Sequence, residues 1–299
     1  MQPSIAYLNG EWVSGSELAV PVSDLGFLLG ATVAERLRTF SGQLFRVEDH
    51  LARLYSSLQI VGLDAADICQ EVSEVLDEFV DRNSEWILEG DDWNVIVFVT
   101  PGRSNDTSQP TICVHGKPLS FDQWAHLFEQ GVETAIVESR QVPANCWPSE
   151  LKCRSRMHYY LADQEAAQHG PATRPILLDQ EGFISEGSTA NVVAYFREWG
   201  LVTPYISKVL PGVSQQVLFE LGESLGFAHH QRDMLPEDLA EADEVFFAST
   251  SICMLPIVKL NDQPIGTGRP GPVYGQLLSA WSERVKVDIA EQAQKFALR

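Results

Sequence analysis

Strand-like and helix-like segments interleaved without a repeating βαβ order predict a mixed α/β fold of the α+β kind, in two domains. Three observations carry this. The 299 residues exceed one ordinary domain and can bury a substantial core. β-Branched runs alternate unevenly with stretches of helical hydrophobic spacing. The pattern shifts around Pro118–Phe121, which divides the chain into a smaller domain, 1–119, and a larger one, 120–299.

The elements follow in order. SIAYLNGEWV reads as two short strands about an Asn9-Gly10 turn, and ERLRTFSGQLFRV as a second hairpin turning at Ser41-Gly42. In EDHLARLYSSLQIVGL, Leu51, Leu54, Leu58 and Val61 recur at helical spacing, and Ile68, Val72, Val75, Leu76 and Phe79 mark a helix over 66–82. WNVIVFVT and TICVHG are strands separated by a polar loop. A short helix over 122–130, a strand TAIVES, and a helix through RMHYYLADQEAAQHG ending at Gly170 come next. PILLD and FIS form a hairpin about Glu181-Gly182, and NVVAYF and LVTP pair as strands. A helix follows Pro211-Gly212 to about Leu225, VFFAST and IVKL are strands, and GPVYGQLLSAWSERVKV closes as a helix.

Composition bounds the function. Hydrophobic residues at 44% and charged residues at 21% describe a globular protein. A formal charge of −20 argues against general affinity for nucleic acid or an anionic membrane, while leaving room for a locally basic pocket. Cys69, Cys113, Cys146, Cys153 and Cys253 are odd in number, scattered and without a CxxC pair, which predicts reduced thiols in the cytoplasm, not a disulfide framework or a metal site. The start MQPSIAYLNGEW has no signal-peptide core, and no apolar run approaches the roughly 20 residues needed to span a bilayer. Gly26 and Gly30 do not make a GxGxxG after a strand, so no dinucleotide site is supported.

Four separated segments carry chemistry. SELKCRSRMHYYLADQEAA places Lys152 just before a helix. DQEGFISEGSTANVV puts Glu186 at the end of a hairpin strand, 34 residues later. VLPGVSQQVLFELG is a glycine turn running into a helix, whose first N–H groups suit a phosphate. VFFASTSICMLPIV ends a strand in Ser249, Thr250 and Ser251. Each segment alone has an ordinary reading: a surface lysine, a turn glutamate, an unliganded helix start, a polar strand end.

In this order and spacing the four together resemble the fold-type IV (class IV) enzymes that use pyridoxal 5'-phosphate (PLP): branched-chain and D-amino-acid aminotransferases, (R)-selective amine transaminases and aminodeoxychorismate lyase. The resemblance runs from LNGEWV to NDQPIGTGRPGPVYGQLL, nearly the whole chain. It implies a small N-terminal α/β domain followed by a larger pseudo-barrel domain that binds PLP. It implies Lys152 as the Schiff-base lysine and proton carrier, and Glu186 as partner of the pyridine nitrogen. Arg53, in the H-x-x-R-L pattern His50–Leu54, matches the phosphate-binding arginine. Val213 and Ser214 match the phosphate cup, Thr250 the second phosphate contact, and Ser251 an amide facing the substrate carboxylate. Asn191 reads as a brace for the strand, and Tyr159 and Tyr160 as packing residues. A homodimer, whose sites borrow a loop from the other subunit, is implied in the same way.

Substrate choice does not follow one subgroup. The branched-chain pattern aromatic-Glu-Gly-x-Arg-x-Tyr is replaced by Ala34-Glu35-Arg36-Leu37-Arg38-Thr39-Phe40, and the tyrosine expected five residues after the lysine by Met157. The Arg-x-His pair of D-amino-acid members meets Gly102-Arg103-Ser104-Asn105. Arg36, Arg38 and Arg103 are therefore candidate clamps for a substrate carboxylate, with surface or dimer-interface positions as the alternative for Arg36 and Arg103. The activity predicted is transfer of an amino group from an amino acid to a 2-oxo acid. The alternatives are a lyase of the aminodeoxychorismate type releasing pyruvate, and a non-catalytic PLP-binding scaffold.

Overall fold

A computed structural model describes residues 4–298. The chain divides into two units, Met1–Leu119 with Glu150–Ser155, and Ser120–Ser149 with Arg156–Arg299.

The first unit is built on a six-stranded sheet of β1 (Ile5–Leu8), β2 (Glu11–Ser14), β3 (Val33–Phe40), β4 (Gln43–Leu44), β5 (Trp93–Thr100) and β6 (Thr111–Pro118), in the order β2-β1-β6-β5-β3-β4 and antiparallel throughout. The two predicted turns form as read. Asn9 and Gly10 take φ of 51° and 89°, and Ser41 and Gly42 take 50° and 76°, the left-handed pair that a two-residue turn needs to match strand twist. Helix α1 (Leu25–Leu28) is short, and α2 (Val47–Ile60) and α3 (Ala65–Arg82) cover one face of the sheet. Strand alternation sorts the residues. Val33 and Leu37, Val95, Val97 and Val99, and Ile112 and Val114 turn into a core with Leu54 and Leu58 of α2 and Ile68, Val72, Leu76 and Phe79 of α3. Each such buried side chain contributes about 1.5–3 kcal/mol, well beyond the few tenths at stake in helix propensity. The intervening Ala34, Arg36 and Arg38 belong to the opposite face.

A buried ion pair docks α2 onto β3. Arg53 Nε and Nη2 donate to the two oxygens of Glu35 at 2.7 and 2.8 Å, and His50 Nδ1 donates to Glu35 Oε2 at 2.9 Å. Burial presses the Glu35 carboxyl upward, but the charge and bonds of Arg53 and the bond from His50 outweigh it and hold Glu35 well below the usual carboxylate range. Burial also pushes His50 below its ordinary value, against the pull of Glu35.

The second unit is a nine-stranded sheet that returns on itself. Its strands are β7 (Val132–Arg140), β8 (Arg174–Leu178), β9 (Ile184–Gly187), β10 (Asn191–Phe196), β11 (Gly200–Thr203), β12 (His229–Gln231), β13 (Glu244–Ser249), β14 (Cys253–Leu260) and β15 (Gln263–Pro264). The order runs β12-β11-β10-β13-β14-β7-β8-β9, and β9 pairs back onto β10 with Glu186 opposite Asn191. Six strands, β10-β13-β14-β7-β8-β9, therefore form a closed ring, the barrel that the family resemblance implies. Helix α5 (Met157–Ala166) seats Ala162 and Ala166 against Val137 of β7 and Leu177 of β8. Around the ring lie α4 (Leu127–Gln130), α6 (Val213–Ser224), α7 (Pro236–Ala240), α8 (Pro272–Val285) and α9 (Ile289–Phe296). Among the described residues, no helix is long and apolar enough to cross a membrane.

Three boundaries differ from the sequence reading. The helix expected over 122–130 is a 3-10 turn at Phe121–Gln123 followed by α4. Helix α5 stops at Ala166, because Gln168 and His169 bond three residues back, tightening the end into turns. Helix α9, too short for its period to stand out in the sequence, starts at Asp288, whose side chain accepts from the Glu291 amide.

The triad of Glu35, His50 and Arg53 predicts a pH response. Unfolded, Glu35 titrates near 4.5 and His50 near 6.5, and both bind protons less readily when folded. The unfolded state thus holds more protons, and stability rises with pH across this range. His115, lowered to about 4 chiefly by burial, acts in the same direction. The urea midpoint of the protein is expected to fall between pH 7.5 and 5.5 and again below about 4.5. His50→Gln should weaken the first decline and leave the second. An equal first decline in the variant would show that His50 does not contribute to it.

Candidate active site

Lys152 lies in the segment Glu150–Ser155, which the fold returns to the first unit. This segment lines the edge of β3 that β4 leaves open. Cys153 bridges antiparallel to Val33, the Lys152 carbonyl accepts from the Ala34 amide at 2.9 Å, and the Arg154 amide donates to the Thr32 carbonyl at 2.8 Å. The Lys152 amide donates to Ser57 Oγ on α2 at 3.2 Å, and Ser155 Oγ to the Gly30 carbonyl at 2.8 Å. The lysine backbone is therefore held from two sides. Lys152 stands opposite Ala34, and opposed residues of an antiparallel pair share a face, so Lys152 falls on the face of Ala34, Arg36 and Arg38. Leu151, its neighbour, turns the other way into the core of α2 and α3.

The candidate clamps differ in their surroundings. Arg38 is buried at 1% exposure, 3.8 Å from Asp92 Oδ2, with its guanidinium 3.9 Å from the centre of the Phe40 ring. Arg36 is half-buried, on the same strand face. Arg103 is exposed, on a loop that bridges to Asp24. Arg53 is in the α2 ion pair with Glu35, which presents its guanidinium in one orientation.

In the second unit Glu186 is buried at 4% exposure and surrounded by donors. Tyr159 Oη and Gln141 Nε2 donate to its Oε1. The Leu210 amide and Asn191 Nδ2 donate to its Oε2 at 3.3 and 3.5 Å. Asn191 Nδ2 also donates to the Leu210 carbonyl at 2.8 Å. The LPG turn is thus tied directly to the glutamate. Gly212 is required at this point, since a Cβ there would come within 1.9 Å of Asn191 Oδ1.

Helix α6 begins immediately after this turn, with Val213, Ser214 and Gln215 all buried. No side chain caps its N-terminus. An uncapped, buried helix start keeps N–H donors and a positive dipole end for an anion. Ser249 pairs with Cys253, so Thr250, Ser251 and Ile252 form the tight turn from β13 to β14. The β13 strand reaches that turn beside Asn191, which is opposite Ala248. Ser251 is buried and Thr250 half-buried. These residues fit a phosphate-bearing pyridine, with the helix start for the ester and the buried carboxylate for a ring nitrogen.

Sequence reasoning passed over Gln141 and treated Tyr159 as packing. Tyr159 does pack beside Ala162 and Ala166, but its hydroxyl belongs to Glu186. Neither residue stands in a motif: Gln141 lies 45 positions and Tyr159 27 positions from the glutamate. Met157 and Tyr160 are exposed. Cys153 is half-buried at the β3 edge.

Comparison with known proteins agrees with this arrangement. The family model for amino-transferase class IV matches residues 32–260. A D-alanine aminotransferase of Bacillus licheniformis is 27% identical over 291 residues, covering 95% of this chain and 98% of its own length. The fold matches that of the Escherichia coli branched-chain amino acid aminotransferase at a TM-score of 0.86, with 24% identity and 94% of each chain covered. It also matches, at 0.83 with 23% identity and 95% of each chain, a T.th. branched-chain amino acid aminotransferase solved with pyridoxamine 5'-phosphate. With the family model spanning most of the sequence and the barrel closing on the buried Glu186, this chain belongs to the class IV amino-transferases.

Proposed function

We propose that the chain holds PLP and transfers an amino group from an amino acid to a 2-oxo acid. The observation that carries this reading is the direct tie between Glu186 and the start of α6, through the Leu210 amide and Asn191. That tie sets a carboxylate and a phosphate-binding helix start in one rigid piece. PLP, when bound, supplies an aldehyde that condenses with amines and a cationic ring that takes up the electrons released as the substrate Cα–H bond breaks.

The chain's own groups do the rest. Lys152 would supply the amine that holds PLP, and its Nζ would take the proton at the substrate Cα and give it back on the cofactor side. Glu186 keeps a proton at the ring nitrogen. The amides of Val213 and Ser214, with the Ser214 hydroxyl, Thr250 and Arg53, hold the phosphate. Arg53 suits the task because Glu35 fixes the plane of its guanidinium. The Ser251 amide faces the substrate carboxylate, and Arg36 and Arg38, on the strand face of Lys152, supply positive charge toward it. Arg103 belongs to a neighbouring subunit's site in this reading. A homodimer is supported by the run Phe27-Leu28-Leu29, residues that are 71%, 51% and 72% exposed. Reduced, scattered thiols support a place in the cytoplasm.

Two measurements test the reading. Borohydride reduction of the PLP-loaded protein, followed by peptide mapping, should place the pyridoxyl label on Lys152. Lys152→Ala should lose the label and about 10³-fold or more of the transfer rate. Label on another lysine, with full activity in the variant, would remove the central residue. In the second, mixing holoenzyme with an amino donor and no oxo acid should bleach the cofactor's visible absorbance once and stop, with one equivalent of oxo acid released per site. Continued turnover with pyruvate release would identify a lyase instead.

A further inference from the structure

The buried surroundings of Glu186 carry an assignment beyond the cofactor partner itself. Its Oε1 is shared by two donors from separate elements, Tyr159 Oη on the first turn of α5 and Gln141 Nε2 just past the end of β7. Gln141 Nε2 also reaches Tyr159 Oη at 3.2 Å, so the three side chains form a closed triangle. Gln141 is itself fixed. Its amide donates to the Leu178 carbonyl at 2.9 Å, its side-chain oxygen accepts from the Val142 amide at 3.2 Å, and its carbonyl accepts from Gln180 Nε2 at 2.9 Å. Tyr159 is held by packing against the cluster of Val137, Ala162, Ala166 and Leu177. With the Leu210 amide and Asn191 on Oε2, both carboxylate oxygens are engaged.

We infer that Tyr159 and Gln141 are positioning residues that act on the cofactor's ring nitrogen through Glu186, keeping the shared proton on the ring and not on the carboxylate. The inference rests on the reading that Glu186 partners that nitrogen. A proton between a carboxylate and a pyridine goes to whichever base holds it more tightly. Hydrogen bonds donated to the carboxylate stabilise its charged form and weaken its hold on the proton. Two neutral donors on one oxygen, each held by a separate element, do this without adding a positive charge of their own. Tyr159 keeps its proton throughout the working range, because burial first, then the Glu186 charge and hydrogen bond, push its hydroxyl well above the ordinary tyrosine value. It therefore remains a donor. The electron-accepting power of the ring depends on that proton, so two residues outside any family motif set it.

The experiment compares binding of PLP with binding of 1-deaza-PLP, in which a C–H replaces the ring nitrogen, to the apoprotein, followed by fluorescence titration. The unaltered protein should prefer PLP. In Tyr159→Phe and in Gln141→Met, PLP affinity should fall about tenfold or more, while affinity for the deaza analogue changes little. Equal weakening for both cofactors would show that the residues only shape the pocket, and no weakening for either would remove the role altogether; each overturns the inference. Glu186→Gln is the benchmark. If it abolishes the preference while Tyr159→Phe and Gln141→Met retain it, the inference fails and the reading of Glu186 stands. If Glu186→Gln itself keeps the preference, that reading fails and takes the inference with it. Should Gln141→Met fold poorly, Tyr159→Phe, which retains the ring and its packing, decides alone.

Discussion

The second unit depends on where its sheet closes. An open sheet leaves two rows of unpaired backbone groups at its edges, and ring closure removes them for the strands involved. Here closure runs through Glu186 opposite Asn191, so the barrel is completed at the residue proposed above to partner the cofactor. A buried carboxylate at a structural seam is costly unless its oxygens are fully engaged. The donors that engage them come from β10, from the turn before α6, from α5 and from the end of β7. Satisfying one charge thereby fixes the relative placement of four elements.

The same constraint explains the glycine of the LPG turn. Asn191 must reach the Leu210 carbonyl and Glu186 together, and Gly212 is the residue that leaves its amide room. Helix α6 then begins without a side-chain cap, its first turn buried. A structural need, bracing the closure, and the anion contact proposed for the helix start are both served by one three-residue turn.

The first unit solves its own burial problem with charge. Arg53 would be costly inside the α2–β3 contact without Glu35, and breaking such a buried pair costs about 3–5 kcal/mol. The pair gives Arg53 a fixed orientation, which suits the phosphate contact proposed for it. Lys152 is secured differently, by lying along the open edge of β3 with its backbone bonded to Ala34 and Ser57.

Much was determined by the sequence alone. The Asn9-Gly10 and Ser41-Gly42 turns, the apolar stripes of α2 and α3, and the order of Lys152, the EGS-x-x-N segment, the LPG turn and the Ser-Thr strand end are local patterns, and local patterns are written in adjacent residues. The mixed fold and the class of chemistry follow from them. Tertiary structure alone decided what lies far apart in sequence: that β9 returns to β10, that Glu150–Ser155 lines β3, that Arg53 answers Glu35, and that Tyr159 and Gln141 attend Glu186. A tyrosine hydroxyl or glutamine amide acquires a partner only when strands and helices are packed. No periodicity or spacing along the chain encodes that meeting, because the energy that selects it is the cost of leaving a buried carboxylate short of donors.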